Sequence, residues 1–373
     1  MSRVAFNQAK YSESLKGEAA KVLMHSLDTG WIVTGEVVKS AEQECSALCE
    51  MSHAVGTLIA PYFPLAAALR EFHSRVSFAD PTIAIQANAW PEHVAAFRQM
   101  GWEIVLFDFA LEDGYPKLEP DQIPFNVDAV FVLDAHGVAP RGLKDIQEVC
   151  AFRKIPLIHD VSYGVYANGK DPTRTIGDVI TMSLNPGKLV TGLNGGMTLF
   201  SDEDLADLMR AARIDGLRED ANCFMPVGDW RMQEVQAAVL MGSLQDASKN
   251  LYERRKIVDL YVYDLLNNPK GHRAAEQLSW QMKYSGLDRA ILFIHEGDKP
   301  RVRDYLNMNG VQSIPLTYDR PANEHVVFGD LYLKYSTPNA KRWCETTILI
   351  PLHNDLSQED TDRVCTVLKV LEF

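Results

Sequence analysis

Between residues 82 and 200, short apolar or β-branched runs alternate with stretches whose apolar residues recur every three or four positions. The runs cover residues 82–86, 103–107, 128–133, 156–160, 179–183 and 197–200, and helical spacing is clearest over 92–100 and 143–153. A strand, a helix and a second strand in that order bring the chain back to the same edge of a sheet. Pairing is then parallel, and helices cover both faces. The pattern predicts an α/β domain with a mostly parallel sheet, in which ligands bind beyond the carboxyl ends of the strands.

From about Arg231 the character changes to one long helical region that stops at Asn267-Asn268-Pro269-Lys270-Gly271. Strand-like segments at 290–295, 312–315 and 347–351 then mix with helical ones at 300–308 and 358–371. This reads as a smaller α+β domain, with the division near residue 250: 1–250 large, 251–373 small. The 373 residues agree with two domains of roughly 150 residues or more. No repeat or low-complexity segment suggests a solenoid or a tail.

With 37 Lys and Arg against 50 Asp and Glu, the net charge is −13, and no basic run offsets it. A general affinity for nucleic acid or for an anionic membrane is not expected. The polar, amphipathic first residues do not resemble a secretory signal, and no apolar stretch reaches the roughly 20 residues needed to cross a bilayer. A cytoplasmic protein with reduced thiols is therefore expected. The six cysteines form no CxxC pair; Cys45 and Cys49 share a helical face but have no second ligand pair, and burial is the expectation for them.

Chemistry-bearing residues fall at the expected strand ends. Asp160 closes the apolar run 156–160, where a carboxylate either holds a cation or caps the next helix. Lys188 follows the strand-ending Ser183 by five residues, between a turn and the Gly195-Gly196 loop. Alone it reads as a surface lysine; desolvated, it is an amine nucleophile toward a carbonyl. Trp90 ends a run at the same edge and is either a core residue or an aromatic platform. An acid for a pyridinium nitrogen, a Schiff-base lysine, a hydroxyl for a phosphate and a stacking aromatic together match the needs of pyridoxal phosphate.

These residues lie in segments that resemble, in order, the motifs of the DegT/DnrJ/EryC1/StrS sugar aminotransferases, PLP enzymes of fold type I. Gly30-Trp31-Ile32-Val33-Thr34-Gly35 is similar to an early GW-hydrophobic-x-G segment, and Ala87-Asn88-Ala89-Trp90 to the site of the stacking aromatic. His159-Asp160-Val161-Ser162-Tyr163 resembles E-D-A-A-Q/H, and Ser183-Leu184-Asn185-Pro186-Gly187-Lys188 resembles S-F-x-P-x-K. Arg231-Met232-Gln233-Glu234-Val235-Gln236-Ala237-Ala238 is similar to R-M-x-E-x-Q-A-A. Pro351-Leu352-His353 begins a stretch like the late L-P-L-H segment. The resemblance implies an aspartate aminotransferase-like fold, with Lys188 as Schiff-base lysine and proton carrier and Asp160 on the pyridine nitrogen. It further implies Trp90 against the ring, Ser183 on the phosphate and Tyr163 near the ring hydroxyl. An amino acid, glutamate or glutamine, would give its amino group to a keto sugar, a nucleotide-linked sugar or a cyclitol, in a homodimer with sites at the interface.

Three positions depart from the family pattern. Where the Ser-Gly-Thr phosphate loop belongs, residues 59–64 read Ile-Ala-Pro-Tyr-Phe-Pro, and the proline at 61 removes an amide donor. Thr57 is not assigned the missing role. Asp229 stands for an asparagine that would donate to the phosphate, and a carboxylate there would repel it. Tyr163 replaces Gln or His. Either PLP is still held through Lys188 for an unusual substrate or an altered reaction, or the cofactor site has decayed into a binding or structural role. Retention of Asp160, Lys188, Trp90 and Ser183 favours the first. A family member that removes hydroxyls would carry histidine in place of Lys188. Candidates for sugar recognition are residues 30–35, Tyr318, Arg320 and His353, the last read equally well as a packed histidine.

Overall fold

The computed structural model describes residues 3–166, 176–217, 222–225, 228–268, 271–313 and 319–371. Helices α1 (Glu13–Thr29) and α2 (Glu36–Leu48) lead into β1 (His53–Thr57) and α3 (Tyr62–Ser74). Next come β2 (Thr82–Gln86), α4 (Pro91–Gln99), β3 (Glu103–Phe107) and a small hairpin of β4 (Ala110–Glu112) and β5 (Tyr115–Lys117). The succession continues with β6 (Ala129–Leu133), α5 (Leu143–Arg153), β7 (Leu157–Asp160), β8 (Val179–Ser183), β9 (Gly196–Phe200) and α6 (Glu203–Ala212). The rest is α7 (Glu234–Leu266), α8 (His272–Tyr284), β10 (Ala290–Phe293), α9 (Lys299–Met308), α10 (Gly329–Lys334), α11 (Pro338–Thr346), β11 (Thr347–Ile350) and α12 (Gln358–Leu368).

Seven strands form one sheet in the order β1-β9-β8-β7-β6-β2-β3. The four pairings from β3 to β8 are parallel, and β9 runs against both of its neighbours. Residues 184–195 contain no helix, so the chain turns back beside β8 instead of crossing over. The parallel strands read as unbroken apolar runs because both faces are covered. On one face Leu65, Leu69, Phe97, Leu205 and Met209 pack on Ile83, Phe131, Ile158 and Phe200. On the other, Val38, Ala41 and Cys45 of α2 and Leu240 of α7 pack on Ile180, Met182 and Leu199. Phe131 is fully buried, and its truncation to alanine costs about 3–5 kcal/mol.

Helix α7 has 33 residues and is therefore about 50 Å long. It crosses the expected division near residue 250 without a break. Its first half packs through Ala237 and Leu240 in the sheet core. Its second half packs through Val258, Tyr261 and Leu265 with the antiparallel pair β10–β11.

Two expectations about elements are corrected. Strand β1 escaped the sequence pattern because His53, Gly56 and Thr57 leave it only two consecutive apolar residues; it extends the sheet beside β9. The strand expected at 312–315 is not formed in its described part. Val311 makes a single bridge to Val4, and residues 314–315 lie outside the described residues. No helix of the described residues is long and apolar enough to cross a membrane. Cys45 and Cys49 are buried, and no group of three His, Cys, Asp or Glu among the described residues could hold a metal.

Candidate active site

Strands β6, β7 and β8 end side by side at Leu133, Asp160 and Ser183, and a cavity opens there. Asp160, the last residue of β7, is buried and receives donors from four directions. Its Oδ1 accepts from the Ser162 amide at 2.8 Å; its Oδ2 accepts from the Tyr62 hydroxyl at 2.5 Å and from Thr181 Oγ1 at 3.3 Å. His93 Nε2 lies 3.4 Å from the same Oδ2. Burial alone would raise the carboxyl pKa, but the hydrogen bond and charge of His93, the Lys188 ammonium and the Tyr62 hydroxyl outweigh it. The group is held well below the usual carboxylate range, as a permanent negative charge at the cavity wall.

Lys188 reaches the same cavity through a turn. Gly187 takes φ 85° there, and a Cβ on it would sit 2.0 Å from Asn7 Nδ2, so the turn requires glycine. The amide of the next residue, Leu189, is fixed 2.6 Å from Asp288 Oδ1, and Asp288 is itself paired with Arg254 and Arg289. The Lys188 ammonium donates to the Ser183 carbonyl at 2.8 Å and lies 4.6 Å from the centre of the Tyr163 ring. Burial lowers its pKa; Asp160 and Asp288 pull the other way and Arg289 lowers it further, leaving it at about 8. About a tenth of the amine is then unprotonated at pH 7, far more than for an exposed lysine.

All five residues expected at the site, Trp90, Asp160, Tyr163, Ser183 and Lys188, line this one cavity. Trp90 is the N-cap of α4, with Pro91 setting the first helical turn. Ser183 donates its amide to Ser162 Oγ at 2.8 Å, which ties the end of β8 to the turn after β7. Behind this wall the buried His159 meets Asp134 at 2.7 Å. Burial works against its protonation, but the Asp134 carboxylate prevails and raises the His159 pKa.

Several lining residues were not singled out in the sequence: His93, Glu92, His136 and Trp343. The run Trp90-Pro91-Glu92-His93 at a helix start was the available signal for two of them, because positions three apart share a helical face. His136 stacks on Trp343 with centroids 5.2 Å apart, and burial lowers its pKa to about 3. Arg320 and His325 complete the outer rim.

Other expectations fare differently. His353 does not face the cavity: it is buried, its Nε2 is 3.1 Å from the Ala5 carbonyl, and its Nδ1 accepts from the Asp355 amide. It is a packed histidine joining the two ends of the chain. Residues 30–35 are not on the cavity wall of their own chain. Their Gly35 amide, with those of Val37 and Val38, is held by the Glu234 carboxylate, which caps the start of α2. Tyr318 lies outside the described residues. Thr57 directs its hydroxyl to the Ile59 carbonyl at 2.7 Å. Asp229 is not a lone charge, because Arg231 engages both of its oxygens, at 2.9 and 2.6 Å; the repulsion expected of it is offset within its own chain.

Over 376 aligned residues the chain is 22% identical to the GDP-perosamine synthase of Vibrio cholerae, spanning 96% of this chain and 97% of that protein. The same fold is seen in the crystal structure of DesI in the presence of its TDP-sugar product, with TM-score 0.83 and 18% identity over 99% of this chain and 93% of that one. Helicobacter pylori PseC, an aminotransferase involved in the biosynthesis of pseudoaminic acid, gives TM-score 0.82 and 17% identity over 98% of each chain. The family model for the DegT/DnrJ/EryC1/StrS aminotransferases matches residues 13–369, and the chain belongs to that family.

Proposed function

We propose that this cavity binds pyridoxal phosphate and that the protein moves an amino group from an amino acid, glutamate or glutamine, to a keto sugar carried on a nucleotide or to a related cyclitol. The observation that carries this reading is the placing, in one cavity, of a buried carboxylate held ionised and a buried amine whose pKa is lowered to about 8. A protein needs a specific reason to keep both buried, and amine transfer to a carbonyl is such a reason.

The residues present fit the ring of the cofactor. A carboxylate oxygen has two acceptor sites, and among the described residues Asp160 Oδ1 accepts only from the Ser162 amide. The other site is available to a ring nitrogen, which the carboxylate would keep protonated. When bound, pyridoxal phosphate supplies an electron sink for the carbon that gains or loses the amine. Lys188 would hold the cofactor and then carry the proton to and from that carbon, its amine steered by the Ser183 carbonyl. Trp90 would lie against the ring, Tyr163 would hydrogen-bond the ring hydroxyl, and Ser183 would take a phosphate oxygen.

The names of the relatives, a GDP-perosamine synthase and an enzyme with a TDP-sugar product, support a nucleotide-linked sugar as the acceptor. Arg320, among the residues lining the cavity, is a cation that would meet its phosphates. We also infer a division of the chain inside α7 and a homodimer. Leu23, Met24, Leu27, Trp31 and Ile32 form an exposed apolar strip on and just after α1, larger than scattered surface residues would give. Sedimentation would then report twice the 41.8 kDa chain mass; a monomer at micromolar concentration would remove this part of the proposal.

The function is tested by incubating the protein with pyridoxal phosphate, glutamate or glutamine and a panel of nucleoside-diphosphate keto sugars, with mass spectrometry of the products. Conversion of a keto sugar to an amino sugar supports the reading. Binding of the cofactor without transfer to any of them would point to a different reaction on the same scaffold.

A further inference from the structure

The turn between β1 and α3, where the family pattern puts its phosphate cradle, is built for another task. A helix start holds a phosphate through the N–H groups of its first turn. Here Pro61 is the N-cap of α3 and Pro64 its third residue, and neither has an N–H. The Leu65 amide is already bonded to the Pro61 carbonyl at 3.0 Å. Pro61 also packs so closely on the start of β9 that a Cβ on Gly196 would lie 2.4 Å from its Cδ. Only the Tyr62 and Phe63 amides remain at this helix end.

In place of the lost donors comes a side chain. Tyr62 is 2% exposed, stands edge-on to His93 with centroids 4.3 Å apart, and places its hydroxyl 2.5 Å from Asp160 Oδ2. It thus reaches from the start of α3 to the end of β7, on the wall of the cavity. Burial and the neighbouring carboxylate push the Tyr62 hydroxyl well above its usual pKa, so it remains a donor.

We propose that Tyr62 is a positioning residue for Asp160, and that with the start of α3 short of donors the cofactor is held mainly by its ring and only weakly by its phosphate. The protein then binds the phosphate-free vitamer nearly as well as the phosphorylated one. This rests on the cofactor reading above.

The test is calorimetric titration of the full-length protein with pyridoxamine and with pyridoxamine 5′-phosphate, which bind without a covalent bond. Affinities within about tenfold of each other are expected, because a full cradle of charge-assisted hydrogen bonds would separate them by about a hundredfold or more. Replacing Tyr62→Phe weakens both ligands by a similar factor, about tenfold, the worth of one hydrogen bond to a charged group. In the same variant the 15N shift of the bound ring nitrogen moves toward the unprotonated value, because a carboxylate that loses a donor draws the proton to itself; a tyrosine that merely filled space would leave that shift unchanged. The double change Pro61→Gly with Tyr62→Thr raises the preference for the phosphorylated ligand by about tenfold or more. A hundredfold preference in the unmodified protein would overturn the inference and leave the cofactor reading intact. Failure of both ligands to bind would overturn the two together.

Discussion

The carboxyl ends of β7 and β8 and the amino end of α3 both contribute to the wall of one cavity, and they have been shaped by different demands. At the first, Asp160 and Lys188 are each held by several neighbours, and their charge states suit exchange of an amine with a carbonyl. At the second, two prolines replace amide donors, and a tyrosine joins the network of the first. On the proposed function, the atoms that would do the chemistry and the atoms that would anchor the cofactor are separable. An anchor of a few hydrogen bonds can be exchanged for contacts elsewhere, whereas the acid and the amine have no substitute.

The sharpest way to break the comparison is at the first region. Changing Lys188→Ala removes both the proposed attachment point and the proposed proton carrier, and amine transfer is expected to fall by at least about a thousandfold. A loss of less than tenfold would show that the lysine is a bystander. Asp160→Asn keeps the shape but not the charge, and the expected loss of turnover is about a hundredfold; stopped-flow measurement of the amino-acid half reaction isolates it from sugar binding.

Next in size is a pH effect. A Lys188 with pKa near 8 becomes a nucleophile as its proton leaves, so the rate of attachment to pyridoxal phosphate rises with pH. The free-amine fraction predicts about a fivefold increase from pH 7 to pH 8 and little further gain above about pH 9. A rate still climbing steeply at pH 10 would place the amine in solvent. The smallest effect concerns a residue outside both regions. His353→Gln leaves turnover and substrate affinity unchanged within about twofold while lowering the melting temperature by a few degrees, because a packed hydrogen-bonding side chain is lost. A selective rise in the KM for the sugar would return His353 to the substrate site.

Much of the sheet was legible because parallel strands are continuous apolar runs, and the structure sets residues 82–86, 103–107 and 179–183 as strands with the expected bounds. Asp160 and Ser183 were legible at strand ends, Lys188 and Trp90 close after them and Tyr163 through the family resemblance, and the fold gathers the five into one cavity. What could not be read is what depends on contacts distant in sequence. Tyr62 and Asp160 are 98 residues apart, and only folding shows that the residue breaking the phosphate motif contacts the residue expected to hold the ring. His353 and Ala5 are 348 apart, so the packed reading of His353 was open in the sequence but its partner was not visible. The Asp229–Arg231 pair spans only two residues, yet a backbone bend decides whether those side chains meet.

The measurement that bears most directly on the central claim is borohydride reduction of the protein after incubation with pyridoxal phosphate, followed by peptide mapping. The account predicts a visible absorption band that reduction abolishes, with the pyridoxyl mass on the peptide containing Lys188 and no label in Lys188→Ala. Saturating cofactor that yields no band, or a label spread over surface lysines and unaffected by Lys188→Ala, would contradict it.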